Sequence, residues 1–268
     1  MKKNISYLFL FLFSFFSFFV TIKTTAFIKQ ADVIWQHIEE NEDDYNIEQV
    51  DGIILDDMFI PGTNGLKVDV NKSYNNMKRI GFFNDKLLIY EDVKNNNLLI
   101  DNLDKYIISG SKNKHAVSIL LYINNNTQMD VIKSIDYPIN LIVSYDYYLD
   151  NKDLLDDLTN KKNNILINNI SSKDIKNIKL NQKNGYCFFK DKDNDFKKLC
   201  ATYNYYSILD HSIINKNYLF NIKKNLENGK IFSLNGSYEK ELKTIFNYIN
   251  LKGYEILSLD ELLKENIK

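Results

Sequence analysis

Apolar and polar positions follow two regimes along the chain. From Ala116 to the C-terminus, short apolar runs alternate with stretches in which apolar residues recur every three to four positions. Residues 116–123, 139–144, 164–168, 186–189, 205–209, 230–234 and 254–258 read as strands. Between and after them lie helical patterns. Phe196, Leu199, Cys200 and Tyr203 share one helix face, and Leu242, Ile245, Phe246 and Ile249 repeat the spacing. Gly229 and Gly253 follow helical patterns as terminating glycines, and Asp260 is an expected N-cap for a last helix over 261–265. Strand–helix–strand units predict parallel strands with right-handed crossovers. The strands are apolar on both faces, as helix-covered strands are. Seven such units predict an α/β fold, an irregular (β/α)7 barrel. No glycine-rich phosphate loop follows the first strand, which weighs against a nucleotide-binding open sheet.

The other regime precedes this. Met1-Lys2-Lys3 is followed by an uncharged run, 5–22, dense in Phe and Leu. It is long enough to span a bilayer, and the lysines favour an inside N-terminus. The expectation is an uncleaved anchor over 1–26, with a cleaved signal peptide as the alternative. The rest then lies outside the cytoplasm, as a single-pass membrane protein with an extracellular C-terminal domain, or secreted. Residues 27–110 predict a small α+β lead-in: a stalk helix over 27–40, a helix capped by Ser73, and short strands near 67–70, 87–93 and 106–109. The stretch Pro61-Gly62-Thr63-Asn64-Gly65 reads as a tight turn. The main domain is expected over 111–268.

A net charge of -1 removes the electrostatic case for nucleic acid. Cys187 on a strand and Cys200 on the following helix are expected to be separate core thiols, since a strand and its covering helix commonly lie too far apart for a disulfide.

Barrel chemistry sits at the C-terminal strand ends. These offer Tyr122, Asn124 and Asn125; Tyr145 and Asp146; Asn168, Asn169, Ser171 and Ser172; Lys190, Asp191 and Asp193; Asp210, His211 and Ser212; Asn235, Gly236 and Ser237; then Ser258 and Asp260. The three histidines are His37, His115 and His211, and His211 alone is on this rim, so a hydrolytic zinc site lacks ligands. A hard-cation site from Asp191, Asp193 and Asp210 has no supporting spacing. No metal or other cofactor is expected. Asp210 and His211 are the remaining acid–base pair, but neighbours on a strand point to opposite faces, which makes His211 a solvated loop residue.

The element order over 113–267 resembles the polysaccharide deacetylase family, or NodB-homology fold. Lys114-His115-Ala116-Val117-Ser118-Ile119-Leu120-Leu121-Tyr122-Ile123-Asn124 is similar to the family's K-x-V-A-L-T-F-D-D-G strand. Residues 140–145 with Asn151 resemble its A-T-F-F-V-x-G segment, and 164–172 its H-x-x-x-H strand. Residues 229–235 and Gly253-Tyr254-Glu255-Ile256-Leu257-Ser258-Leu259-Asp260-Glu261-Leu262-Leu263 resemble its closing motifs. The resemblance implies removal of acetyl groups from a glycan through a metal held by one Asp and two His, with an Asp base and a late His acid. The two acids fall on Tyr122 and Ile123, the metal histidines near Asn168 and Ser172, and the late histidine on Asn235. None of these is the family's residue, so the resemblance implies an inactive domain.

The expectation is therefore a membrane-anchored, extracytoplasmic deacetylase-like protein that has lost catalysis. It would serve as a cell-envelope glycan-binding or scaffold domain, with Tyr122, Asn124, Tyr145, Asp146, Asn168, Asp191 and Asn235 meeting substrate. Amides suit sugar hydroxyls, and tyrosines suit sugar faces. The alternative is an active carbohydrate deacetylase with an atypical site at Asp146, Asp191, Asp210 and His211. Expected partners are membrane lipid through residues 5–22 and a cell-surface glycan or envelope protein, not nucleic acid.

Overall fold

The structure, a computed structural model, describes all residues except 1, 125, 160–162, 169, 172, 179, 181, 267 and 268. In chain order the first elements are α1 (Lys2–Gln30), α2 (Val33–Glu40), α3 (Glu42–Tyr45), β1 (Ile53–Leu55), β2 (Met58–Ile60), β3 (Gly65–Val68), α4 (Val70–Met77), β4 (Tyr90–Val93) and β5 (Tyr106–Ile107). Next come β6 (Ala116–Tyr122), α5 (Asn126–Lys133), β7 (Asn140–Ser144), α6 (Tyr145–Asp150), α7 (Lys152–Thr159), β8 (Asn164–Asn168), β9 (Gly185–Phe189) and α8 (Asn194–Thr202). The chain ends with β10 (Tyr205–Leu209), α9 (Tyr218–Asn225), β11 (Ile231–Leu234), α10 (Glu239–Leu251), β12 (Glu255–Ile256) and α11 (Leu259–Leu262). These form two interleaved units, one of residues 1–48 and 66–93, the other of 49–65 and 94–268.

In the smaller unit, Leu10–Gln30 of α1 is a 21-residue apolar stretch of mean hydropathy 1.7, with none of it buried. It is long and apolar enough to cross a membrane, and a signal sequence has the same character. The expected stalk helix to residue 40 is broken: Asp32 leaves helical geometry and caps α2 by accepting from the Ile34 amide at 2.9 Å. Asp69, not Ser73, caps α4; Ser73 is fully buried, and its hydroxyl accepts from the Ile89 amide at 2.8 Å. Ile34, Trp35, Ile38, Val68, Tyr74, Met77 and Leu88 form this unit's core.

The larger unit is built on one sheet of order β1-β2-β5-β10-β9-β8-β7-β6-β11, with β12 also on β6. All seven expected barrel strands form, and every pairing among them is parallel. The sheet curls into an incomplete barrel. Past β10, the parallel bridge of Ile214 to Leu234 joins the chain to β11. The expected lead-in over 27–110 is not one piece. Residues 49–65 and 94–110 belong to the sheet unit, where β5 pairs with β10 (Tyr106 to Ser207) and β2 with β5. Such long-range pairing leaves no mark in local periodicity. Pro61 to Gly65, expected as a tight turn, is a buried segment that pairs along its length: Thr63 bridges Val50, and Asn64 bonds Glu265 and Asn95.

Strand alternation sorts the core into two layers. Ile119, Leu121, Leu141, Val143, Ile165 and Ile167 lie in the cluster beneath the helices. Leu120, Ile142, Leu166, Phe188, Ile208 and Ile231 fill the barrel interior with Leu259, Leu262 and Leu263 of the closing segment. The expectation of separate thiols is corrected. Cys187 of β9 and Cys200 of α8 form a disulfide, with Cα atoms 6.5 Å apart. Four residues separate β9 from α8, which folds back over it and brings the Cα atoms within disulfide range.

The barrel floor is closed by α11. Ser258, not Asp260, is its N-cap. Asp260 instead accepts from Tyr186 (2.6 Å), Asn164 (2.9 Å) and Asn184 (2.6 Å). Asn140 donates to Ser118 and the Ile119 carbonyl and accepts from the Leu259 amide. β12 starts level with Ala116, so Ser258 and Asp260 lie at the floor and not on the expected rim.

Candidate binding site at the barrel mouth

The interior-facing positions of each strand lead upward to the mouth. β6 ends on Tyr122, β8 on Asn168, and the residues just beyond β9, β10 and β11 are Lys190, Asp210 and Asn235. Asp210 still continues the ladder, its amide donating to the Phe189 carbonyl at 3.0 Å, so its side chain shares the inward face of Ile208. Tyr122, Asn168, Phe188, Lys190, Ile213, Asn215 and Asn235 line a cavity of about 290 Å³.

Each wall has a local cause. The Tyr122 ring packs edge-on against Phe188, with centroids 5.5 Å apart. Burial, and secondarily the Asp210 carboxylate, pushes its phenol pKa well up, so it stays a neutral hydroxyl. Asn235 accepts from the Asn124 amide group at 3.0 Å. Gln128 secures that corner, accepting from the Asn124 backbone and donating to the Gly236 carbonyl. The fully buried Tyr238 donates to the Tyr122 carbonyl at 2.6 Å.

Among the described residues, two buried oxygens at this end have no partner: Asn168 Oδ1 and Asp210 Oδ2. Asp210 is only 7% exposed. Its Oδ1 accepts from the Ser212 amide and hydroxyl, both at 2.7 Å.

Of the residues named from sequence, Tyr122, Asn168 and Asn235 line the one cavity, and Asn124 is bonded to Asn235. Tyr145 starts α6 and stacks on Tyr148, and Asp146 beside it is exposed. Asp191 and His211 are exposed and 3.9 Å apart; Asp210 and His211 do not pair. Ile123 turns into the apolar layer beneath the helices. Ser172, with Asn125 and Asn169, lies outside the described residues. Lys190 was already on the expected rim, whereas Phe188, Ile213 and Asn215 were missed. Strand alternation marks Phe188, two residues before Lys190. Ile213 and Asn215 follow from the bridge at Ile214, which has no sequence signal.

The metal that the family resemblance implies does not fit here. Among the described residues no three His, Cys, Asp or Glu side chains converge. The ligand positions hold a buried isoleucine and an amide, and neither supplies the charged or imidazole donors a hydrolytic metal needs.

No family model matches the chain. It is 31% identical over 103 residues to the uncharacterized protein YlxY of Bacillus subtilis, a match that spans 38% of this chain and 31% of that relative. Among solved structures, the wild-type BA3943 of Bacillus anthracis, a pseudoenzyme of carbohydrate esterase family 4, superposes with a TM-score of 0.63 at 19% identity, covering 87% of this chain and 95% of that one. A mutant of it with restored enzymatic activity gives 0.64 at 19% identity, over 87% and 98%. That coverage runs beyond the barrel into the preceding residues. The chain thus has the polysaccharide deacetylase, or NodB-homology, fold of carbohydrate esterase family 4, in a divergent form.

Proposed function

We propose that this protein is a membrane-anchored, extracytoplasmic member of the deacetylase fold that binds glycan at its barrel mouth without hydrolysing it. The observation that carries this reading is the composition of the mouth: Tyr122, Asn168 and Asn235 stand where the resembled family has an acid and imidazoles, and Asn215 adds a third amide to the same cavity. Without a metal, the attacking water loses its activation, a term of several kcal/mol. A cavity with a ring wall and convergent amides still matches the faces and hydroxyls of a sugar. The apolar Leu10–Gln30 helix supports the anchor. The Cys187–Cys200 disulfide supports an oxidising, extracytoplasmic setting.

The test uses the full chain in detergent or nanodiscs. Acetylated amino-sugar oligomers should release no acetate with zinc, cobalt or nickel present. Glycan oligomers should bind, and Tyr122→Ala should weaken binding by about tenfold. Metal-dependent acetate release that is lost in Asp210→Asn or His211→Ala would replace this reading with the active-enzyme one.

A further inference from the structure

Four asparagines are followed directly by glycine: Asn64, Asn184, Asn228 and Asn235. In such a pair the glycine nitrogen can close a five-membered ring on the asparagine side-chain carbonyl carbon, since glycine has no Cβ to block the approach. Attack within one chain is effectively unimolecular, so small differences in local freedom set its rate. Three of the pairs are restrained. Asn64 and Gly65 are both buried. Asn228 precedes Gly229, whose amide donates to the Ala116 carbonyl at 2.8 Å. Asn184 donates to Asp260 at 2.6 Å, and Gly185 is held in β9 against the Tyr205 ring. Asn235 and Gly236 differ. Both are half-exposed where the chain leaves β11. The Gly236 amide has no acceptor among the described residues, and Gly236 has a φ of +92°. The Asn235 side-chain oxygen accepts from the Asn124 amide group at 3.0 Å. That donor makes the carbonyl carbon more electrophilic and meets the oxyanion that forms when a nucleophile adds to it.

We propose that Asn235 is a self-modification site: the Gly236 backbone nitrogen attacks the Asn235 side-chain carbonyl, polarised by Asn124, and the amide is replaced by a carboxylate. In the first step a carbon–nitrogen bond closes a succinimide ring. The attacking nitrogen gives its proton to solvent, and the side-chain nitrogen takes up a proton and leaves as ammonia. In the second step water adds to either ring carbonyl, and the ring opens to aspartate or to isoaspartate. Water is the only co-reactant, and nothing is oxidised or reduced. No carboxylate is among the described residues lining the mouth cavity, so the aspartate product supplies one in the same cavity as Lys190. The isoaspartate product goes further. It turns the Asn235 backbone carbonyl, which accepts from Tyr218 at 2.7 Å, into a free carboxylate, and it lengthens the main chain before Gly236, whose carbonyl accepts from Gln128 at 2.7 Å. The reaction adds negative charge to the mouth with time and needs no ligand there.

The test is peptide mapping by mass spectrometry of the full chain in nanodiscs, held at mildly alkaline pH and sampled over days, beside the same chain unfolded in urea. In urea the four asparagine–glycine pairs should react at comparable rates. In the folded chain Asn235 should react about tenfold faster than the other three, the effect of about one hydrogen bond on the barrier. Isoaspartate should appear there with aspartate, because the ring opens at either carbonyl. Asn124→Ala removes the polarising donor and should slow the reaction at Asn235 several-fold, with the other three sites unchanged. Protection of Asn235 in the folded chain, or a faster reaction at Asn64, Asn184 or Asn228, would overturn the inference. Aspartate without isoaspartate would overturn it too, by assigning the change to direct hydrolysis of the side chain. An unchanged or faster reaction in Asn124→Ala would overturn the part given to Asn124.

Discussion

At the floor of the barrel, Asn140, Asn164, Tyr186 and Asp260 are bonded to one another, to strand carbonyls or to the closing helix. At the mouth, Asn168 and Asp210 each keep a buried oxygen with no partner among the described residues. Both ends use amides and a carboxyl group, and β8 supplies an asparagine to each. Asn140 and Asn164 begin strands, and Asn168 ends one. The two ends differ in position along the strand and also in how far their polar groups are satisfied. A satisfied buried network holds one arrangement of the fold, whereas unsatisfied acceptors are retained at a cost in stability. The floor reads as structure and the mouth as a binding site.

The largest effect that would break this contrast is at Asp260. Asp260→Ala leaves Tyr186, Asn164 and Asn184 without their shared acceptor, two of them almost fully buried. It should cost about 4 kcal/mol in denaturant unfolding. Asn140→Ala should cost about 3 kcal/mol for the same reason. Small losses in both would show that the floor network is not structural, and the contrast with the mouth would fail.

Reduction of the Cys187–Cys200 disulfide comes next. It spans 13 residues, and its loss should cost about 3 kcal/mol by the loop-closure argument. Glycan binding should survive under conditions where the reduced chain stays folded, because neither cysteine lines the mouth cavity. A change in glycan affinity on reduction would couple the outer layer to the mouth.

The sequence carried much of this and missed it in definable places. The barrel strands were legible because double-sided burial makes each a continuous apolar run. The α10 face was legible from its spacing. The disulfide was not, since it depends on how α8 returns over β9, not on either element alone. Asp260 was misplaced as a cap because Ser258 also fits that role, and only the pairing of β12 with Ala116 shows which residue faces the floor. At the mouth, Tyr122, Asn168 and Asn235 were legible as C-terminal strand ends, and the family frame marks the same three. The isolated oxygen of Asp210 depends on the turn made by Ser212, which no spacing rule reports.

A smaller effect, of opposite sign, is expected at the mouth. Asp210→Asn changes a buried oxygen that has no partner among the described residues, while Oδ1 keeps its two bonds. It should leave stability unchanged or raise it by about 1 kcal/mol at neutral pH. Asn168→Leu should behave similarly. Losses near those at the floor would mean that the two oxygens are satisfied in solution, and the site argument would lose its physical ground.

The smallest effect is a slope with pH, and it belongs to the floor. Lys114 Nζ donates to the carbonyls of Glu261, Leu262 and Lys264 at 2.6, 3.0 and 2.6 Å, closing the end of α11. Burial pushes its pKa down to about 8 from the ordinary 10.5, against the opposing pull of Glu261. Between those values the unfolded chain binds more protons than the folded one, so this group makes stability rise with pH. Its cost is complete below pH 8 and relieved as pH approaches 10.5. The difference in unfolding free energy between the native chain and Lys114→Met should therefore change across that window, with groups common to both cancelling. A flat difference would mean that the three carbonyls stabilise the ammonium enough to offset its burial, which would make the floor satisfied in charge as well as in hydrogen bonds.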